Sequence, residues 1–121
     1  MSTFINLTNH PSIRWSEKQR KAAEEYGVIE DLPFPNVSPE WSDARINCEA
    51  EHYRDQILQK EKPVVLLQGD FLFTYRLVCL LKESGIKVVT ACSKRKAIEQ
   101  FHSNGSVIKE SLFDFVSFKE Y

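Results

Sequence analysis

The chain has 121 residues, 42% of them hydrophobic and 27% charged, with a formal net charge of -1. That length and balance fit one soluble domain around one core and argue against disorder. A charge this close to neutral does not advertise a duplex-binding surface, so any anionic ligand must be held by a local cluster of donors. No apolar run approaches a membrane span, and the opening "MSTFINLTNHP" lacks the basic and long apolar segments of a signal peptide. Cys48, Cys79 and Cys92 are odd in number and lack metal spacing. Free thiols in a reducing compartment are expected, which places the protein in the cytoplasm.

"TFINLT" (residues 3–8) alternates and is rich in β-formers, so it reads as a first strand. "NHPSIRW" follows as a loop broken by Pro11. "SEKQRKAAEEYG" (16–27) reads as a helix, with Ser16 as cap, Gln19 in the capping-box position and Gly27 as the stop. "VIEDL" (28–32) is a short second strand, and "PFPNVSPEW" is a loop with three prolines. A second helix starts at Ser42 or Asp43 and reaches to about Glu61, with Ile46, Ala50, Tyr53 and Ile57 at helical spacing.

"VVLLQ" (64–68) is a continuous apolar run, as in a strand covered on both faces. A third helix spans 71–85 and ends at Gly85. "IKVVTAC" (86–92) is a fourth strand, and "SKRKAIEQFHSNG" a short helix or turn. "SVIKESLFDFVSFKEY" alternates like one or two closing strands. The alternating order predicts an α/β domain: a mainly parallel sheet, helices on both faces, right-handed crossovers and a C-terminal β tail. One domain spans 1–121.

In open α/β sheets, ligands bind beyond the carboxyl ends of the strands. That rule selects Thr8, Asn9, His10 and Ser12 after the first strand and the 33–36 loop after the second. It selects Gln68, Gly69 and Asp70 after the third, and residues 90–95 after the fourth. Gly69 lets the backbone turn and a ligand approach. Asp70 is suited to cap the third helix, pointing its free N–H groups at the site, and capping alone is also a common job for Asp there. Gln68 can donate and accept, which suits a base edge or ribose. "SKRK" (93–96) is the one dense positive cluster. Arg95 would hold phosphate bidentately and Lys94 as a point charge; the plainer reading is a solvated basic turn. His10 is suited to proton transfer, or is simply a loop histidine bonded to backbone.

His52 and His102 fall on predicted helices. No HxxxH, CxxC, GxGxxG, P-loop or GxSxG pattern occurs, so zinc, dinucleotide and α/β-hydrolase chemistry have no support. No cofactor is expected. Cys92 reads as a small buried residue rather than a nucleophile. Phe71, Phe73 and Tyr75 read as core or dimer contacts.

"INLTNHPS", the helix "SEKQRKA", "DLPFP", "QGDFLFTY", a strand running into a basic turn, and the closing "FDFVSFKEY" form one pattern. Together they resemble the small single-domain CRISPR-associated proteins of type III systems. Those are related to the CRISPR-associated Rossmann-fold (CARF) sensor domains, and several are ring nucleases. The resemblance spans nearly the whole chain, and "QGDFLFTY" is its most specific part. It implies a Rossmann-like homodimer that binds a cyclic oligoadenylate, expected to be the tetra-adenylate, across a two-fold axis. It also implies metal-independent cleavage by ribose 2′-hydroxyl attack, which ends an antiviral signal.

Carried onto this sequence, the resemblance gives Asn9, Gln68, Gly69, Asp70, Thr74 and Ser93 ligand-binding roles. His10, Lys94 and Arg95 become the catalytic set, with His10 moving the proton. The chain departs from the pattern at Ala91-Cys92, where a Ser/Thr pair is expected before the turn arginine. Fewer hydroxyls there favour the alternative, a non-catalytic messenger-binding module acting as sensor or sponge. A third reading is a Rossmann-like protein with an unrelated small anionic ligand.

Overall fold

Ser16, Ser42 and Asp70 each open a helix in the same way. Their side-chain oxygens accept from the backbone N–H three residues on, at 3.2 Å from Gln19, 3.1 Å from Arg45 and 3.0 Å from Phe73. Each bond satisfies one of the donors a helix start leaves without a partner. In this computed structural model, which describes residues 1–101, 105 and 107–121, the helices are α1 (Glu17–Glu24), α2 (Asp43–Leu58) and α3 (Phe71–Glu83). Gly85, at φ +77°, ends the third in the left-handed conformation that glycine adopts without a Cβ penalty. Gly27 works differently. A Cβ there would overlap the Ser2 carbonyl, so its part is close approach at the start of the next strand.

The strands are β1 (Thr3–Leu7), β2 (Val28–Asp31), β3 (Pro63–Leu67), β4 (Lys87–Phe101) and β5 (Val107–Glu120). They form one sheet in the order β2-β1-β3-β4-β5. The first four are parallel, and β5 runs antiparallel to β4. This is the Rossmann-like α/β architecture, with β5 as the β tail.

Both faces of the parallel strands are apolar, as a sheet covered on two sides requires. On one face Ile5, Leu7, Val65, Leu67 and Val88 pack with Ile46, Ala50 and Ile57 of α2 and Phe73, Leu77 and Leu81 of α3. On the other face Phe4, Leu66 and Val89 meet Ala23 of α1 beneath Trp15, Tyr26 and Phe118. The Phe4 ring lies 5.5 Å from Tyr26 and 5.1 Å from Phe118. Each fully buried side chain of this size contributes about 1.5–3 kcal/mol relative to exposure.

The largest departure from expectation lies in β4. The sequence reading ends this strand at Cys92 and puts a short helix or turn at 93–105. Instead β4 runs on to Phe101, because β5 offers it a ladder partner at every step from Cys92–Ser117 out to Phe101–Val107. A partner distant in sequence supplied what local pattern did not show. Ser93, Lys94 and Arg95 are therefore inside a strand, not at its end. His102, placed on the expected helix, lies outside the described residues. The closing segment is one strand. Its pairing skips Val116, so that Phe115 and Phe118, three residues apart, share a face with ring centroids 4.8 Å apart. Among "core or dimer" aromatics, Phe73 is core; Phe71 and Tyr75 are 93% and 68% exposed.

The loop between β2 and α2 is held by Tyr53, whose hydroxyl donates to the Pro33 carbonyl at 3.1 Å and whose ring meets Phe73. Burial, and secondly the charge of Glu49, push this hydroxyl above its ordinary pKa of 10.0. A raised folded-state pKa adds stability that is complete below the unfolded value and is lost as pH climbs through the folded one. Tyr53→Phe is expected to cost about 0.5–1 kcal/mol at neutral pH. The gap to wild type should close as pH rises past about 10, read from urea midpoints. A gap that widens instead would reverse the sign argued here.

Candidate functional site

In this strand order the chain leaves β1 toward β2 on one side, and β3 begins the growth on the other. The carboxyl ends of β1 and β3 therefore border a crevice at a topological switch point. Asn6, 2% exposed, fixes its floor. Its Nδ2 donates to the His10 carbonyl at 2.8 Å and to Asp31 Oδ1 at 3.0 Å. Its Oδ1 accepts from the Thr8 hydroxyl at 2.8 Å. The His10 N–H donates to Thr8 Oγ1 at 3.1 Å, closing a tight turn.

Asp31, at the end of β2, grips the same segment further on. Its carboxylate accepts from the Ser12 N–H at 3.3 Å and from the Ser12 hydroxyl at 3.1 Å. From the opposite side, Arg20 of α1 donates to the Ser12 carbonyl at 2.6 Å. The exit of β1 is thus held by β1, β2 and α1 together. It passes through a short 3-10 turn, Ser12–Arg14, into the Ser16 cap.

A cavity of about 550 Å³ opens on the α1 side of the sheet, a size typical of small-molecule sites. Thr8 and His10 form one wall, and Arg14, Trp15, Ser16 and Gln19 a second. Leu66 and Gln68 come from β3, Ala91 and Ser93 from β4, and Phe113 and Phe115 from β5. Among the described residues the lining has two basic side chains, His10 and Arg14, three aromatic rings and no carboxylate. The start of α1 also faces it, and the N–H groups of a first helical turn carry positive partial charge.

Gln68 repairs a gap in the sheet. The parallel pairing of β3 with β4 stops at Leu66–Val89, where β4 begins to leave. Gln68 Oε1 then accepts from the Ala91 N–H at 3.2 Å, and the Tyr121 hydroxyl donates to the Leu67 carbonyl at 2.6 Å. With its oxygen occupied, the Gln68 carboxamide keeps its Nε2 donors for other partners.

Of the residues singled out from sequence, His10, Gln68 and Ser93 come together in this cavity. Asn9 lies on the other side of the β1 exit, in a smaller cleft. Gly69 makes room for a ring, not a ligand: a Cβ there would overlap Phe34. Asp70 is the α3 cap. Thr74 is buried within α3, its hydroxyl lacks a partner among the described residues, and it lines neither cavity. Lys94 and Arg95 do not line the cavity either. Lys94 stands opposite Asp114, on the face turned away from Ser93, and Arg95 stands opposite Phe113, two pairs beyond Ser93–Phe115.

Sequence reasoning passed over Arg14, Trp15, Gln19, Phe113 and Phe115. The signal for the first two was present: "SIRW" puts a cation and an indole directly after the first strand. It also passed over Asp31, an acid at a strand end. Among the described residues no cluster of three His, Cys, Asp or Glu side chains is placed to hold a metal, and no helix is long and apolar enough to cross a membrane.

The model of the Uncharacterized protein MJ1673 family matches residues 2–119, and the chain belongs to that family. No curated protein matches the sequence.

Two substitutions test the scaffold of the site. Gly69→Ala is expected to destabilise by about 1–3 kcal/mol through overpacking. Phe34→Leu in the same chain should recover part of that loss, a coupling a double-mutant cycle reads directly; simple additivity would mean the ring is not what Gly69 accommodates. Asn6→Leu is expected to cost about 2 kcal/mol or more, because the Thr8 hydroxyl and the His10 carbonyl lose their shared partner. An unchanged urea midpoint would remove Asn6 from that role.

Proposed function

For a member of this family, we propose a ring nuclease that binds a cyclic oligoadenylate, expected to be the tetra-adenylate, in the larger cavity and opens it without a metal. The observation that carries the reading is the lining: basic side chains, hydrogen-bond donors and aromatic rings meet at a switch-point crevice, with no carboxylate among the described lining residues. A phosphate is drawn to the first two, and a base stacks on the third. The sequence resemblance to type III CRISPR-associated proteins selects the ligand from within that class.

The chemistry uses a nucleophile the ligand already holds. A ribose 2′-oxygen bonds to its own 3′-phosphorus, the bond from phosphorus to the next O5′ breaks, and the products end in a 2′,3′-cyclic phosphate and a 5′-hydroxyl. The 2′-hydroxyl gives up one proton and the leaving oxygen takes one. His10, facing the cavity, is the group suited to move it. Arg14 takes the phosphate-neutralising role first assigned to Lys94 and Arg95, since it lines the cavity and they do not. In-line positioning supplies much of the remaining acceleration.

A symmetric ring fits a symmetric dimer. Ile13, Phe71 and Tyr75, all well exposed around the carboxyl end of the sheet, offer apolar surface for a second copy. Three free cysteines fit the reducing cytoplasm where such a messenger would act. One observation favours the non-catalytic alternative. On β4 the cavity wall is Ala91 and Ser93, so this strand supplies a single hydroxyl.

Labelled cyclic tetra-adenylate, incubated with the protein in EDTA, separates these readings on denaturing and native gels. Linear fragments beyond one ring per dimer are expected. Arg14→Ala should weaken binding about 10- to 100-fold, as loss of a charge-assisted contact does, and Lys94→Ala should weaken it less. His10→Ala should keep binding and lose turnover. A shifted but intact ring would establish the binding module. Neither shift nor product at micromolar concentration would overturn both.

A further inference from the structure

Residues 8–11 form a partition with a cavity on each side. Thr8 lines both; His10 faces the larger cavity and Asn9 the smaller. The smaller cleft, about 340 Å³, lies beyond the carboxyl ends of β1 and β2. Its character is the reverse of its neighbour's. Asp31 gives it a carboxylate, and among the described residues no basic side chain lines it. Leu32, Pro33 and Phe34 make one side apolar. The Phe34 ring is held in place by Gly69 behind it and by an edge-to-face contact with Phe73 at 5.4 Å.

We propose that this smaller cleft is a nucleobase subsite that takes the amino edge of an adenine. A phosphate is repelled by the Asp31 carboxylate and is left to the cavity with Arg14. A neutral planar base can lie along the Pro33 and Phe34 side. The Asn9 carboxamide is exposed and makes no hydrogen bond among the described residues. It offers one donor and one acceptor side by side, the pattern that pairs with adenine N7 and N6. The Asp31 oxygens already accept from Asn6 and Ser12, so they add a negative field that favours an exocyclic amine over a carbonyl. The sugar of such a nucleotide crosses the partition at Thr8, which borders both cavities. The phosphate end of this arrangement rests on the function proposed above; the base end stands on the cleft alone.

Backbone amide resonances report the two cavities separately in a titration with adenosine, inosine, guanosine and inorganic phosphate. Adenosine is expected to shift the amides of Asn9, Asp31 and Leu32. Inosine, which carries a carbonyl in place of the amine, should bind about tenfold more weakly. Asn9→Ala, an exposed change that leaves the core intact, should weaken adenosine about tenfold and leave the phosphate response of Arg14 and Ser93 unchanged. The proposal is overturned if adenosine leaves the smaller cleft unmoved, if it shifts the larger cavity instead, or if inosine or guanosine binds as tightly. Phosphate that fails to shift Arg14 sinks the phosphate reading of the larger cavity, whatever adenosine does at the smaller one.

Discussion

A buried carboxamide organises the working end of this molecule. Asn6 stands in a parallel strand between Phe4 and Thr8, where an apolar residue would be the ordinary choice. A polar group in that position costs free energy unless its bonds are made. Asn6 makes them to the Thr8 hydroxyl, the His10 carbonyl and the Asp31 carboxylate. Each bond fixes a part of the segment that leaves β1, and with it the two cavities that segment divides. The hydrophobic core sets the sheet; this one amide sets where the sheet's edge presents its chemistry.

The second constraint is charge separation over a short distance. Asp31 and Arg14 are tied to the same loop but face different spaces. Asp31 reaches Ser12 from β2, while Arg14 ends the turn that Ser12 begins. In a molecule of near-zero net charge, this arrangement gives one basic cavity beside one acidic cleft without a broad charged surface. A ligand with an anionic end and a neutral polar end has a defined way to lie.

The elements whose signals are local were legible in the sequence. Ser16, Ser42 and Asp70 announced their helices because a cap and its N–H are three residues apart. The run at 64–68 announced a covered strand, and the α/β alternation gave the architecture. Features that depend on pairing over distance were not legible. Nothing near Ser93 shows that a partner strand waits beyond residue 107, so β4 read as short and the basic cluster as a strand end. Gly69 looked like room for a ligand because the ring that fills the space, Phe34, is far off in sequence. Arg14 was overlooked because the dense positive cluster at 93–96 was the more visible one, although Arg14 is the arginine that lines the cavity.

The ribbon made by β4 and β5 has a consequence for how this protein can vary. Beyond Leu66–Val89 its strands are paired with each other and no longer with β3. It is tied back there by side-chain hydrogen bonds of Gln68 and Tyr121 and by the Phe118 ring packed on Phe4 and Tyr26. Its near part, with Ala91, Ser93, Phe113 and Phe115, lines the cavity. The outer ladder is therefore a module of adjustable length. Adding or deleting two residue pairs, two residues on each strand, lengthens or shortens the ladder, keeps the side chains on their faces and leaves the inner register unchanged. Removing an odd residue from one strand alone would turn every side chain beyond it to the opposite face. The length of this ladder can therefore change without moving the inner register that carries Ser93 and Phe115.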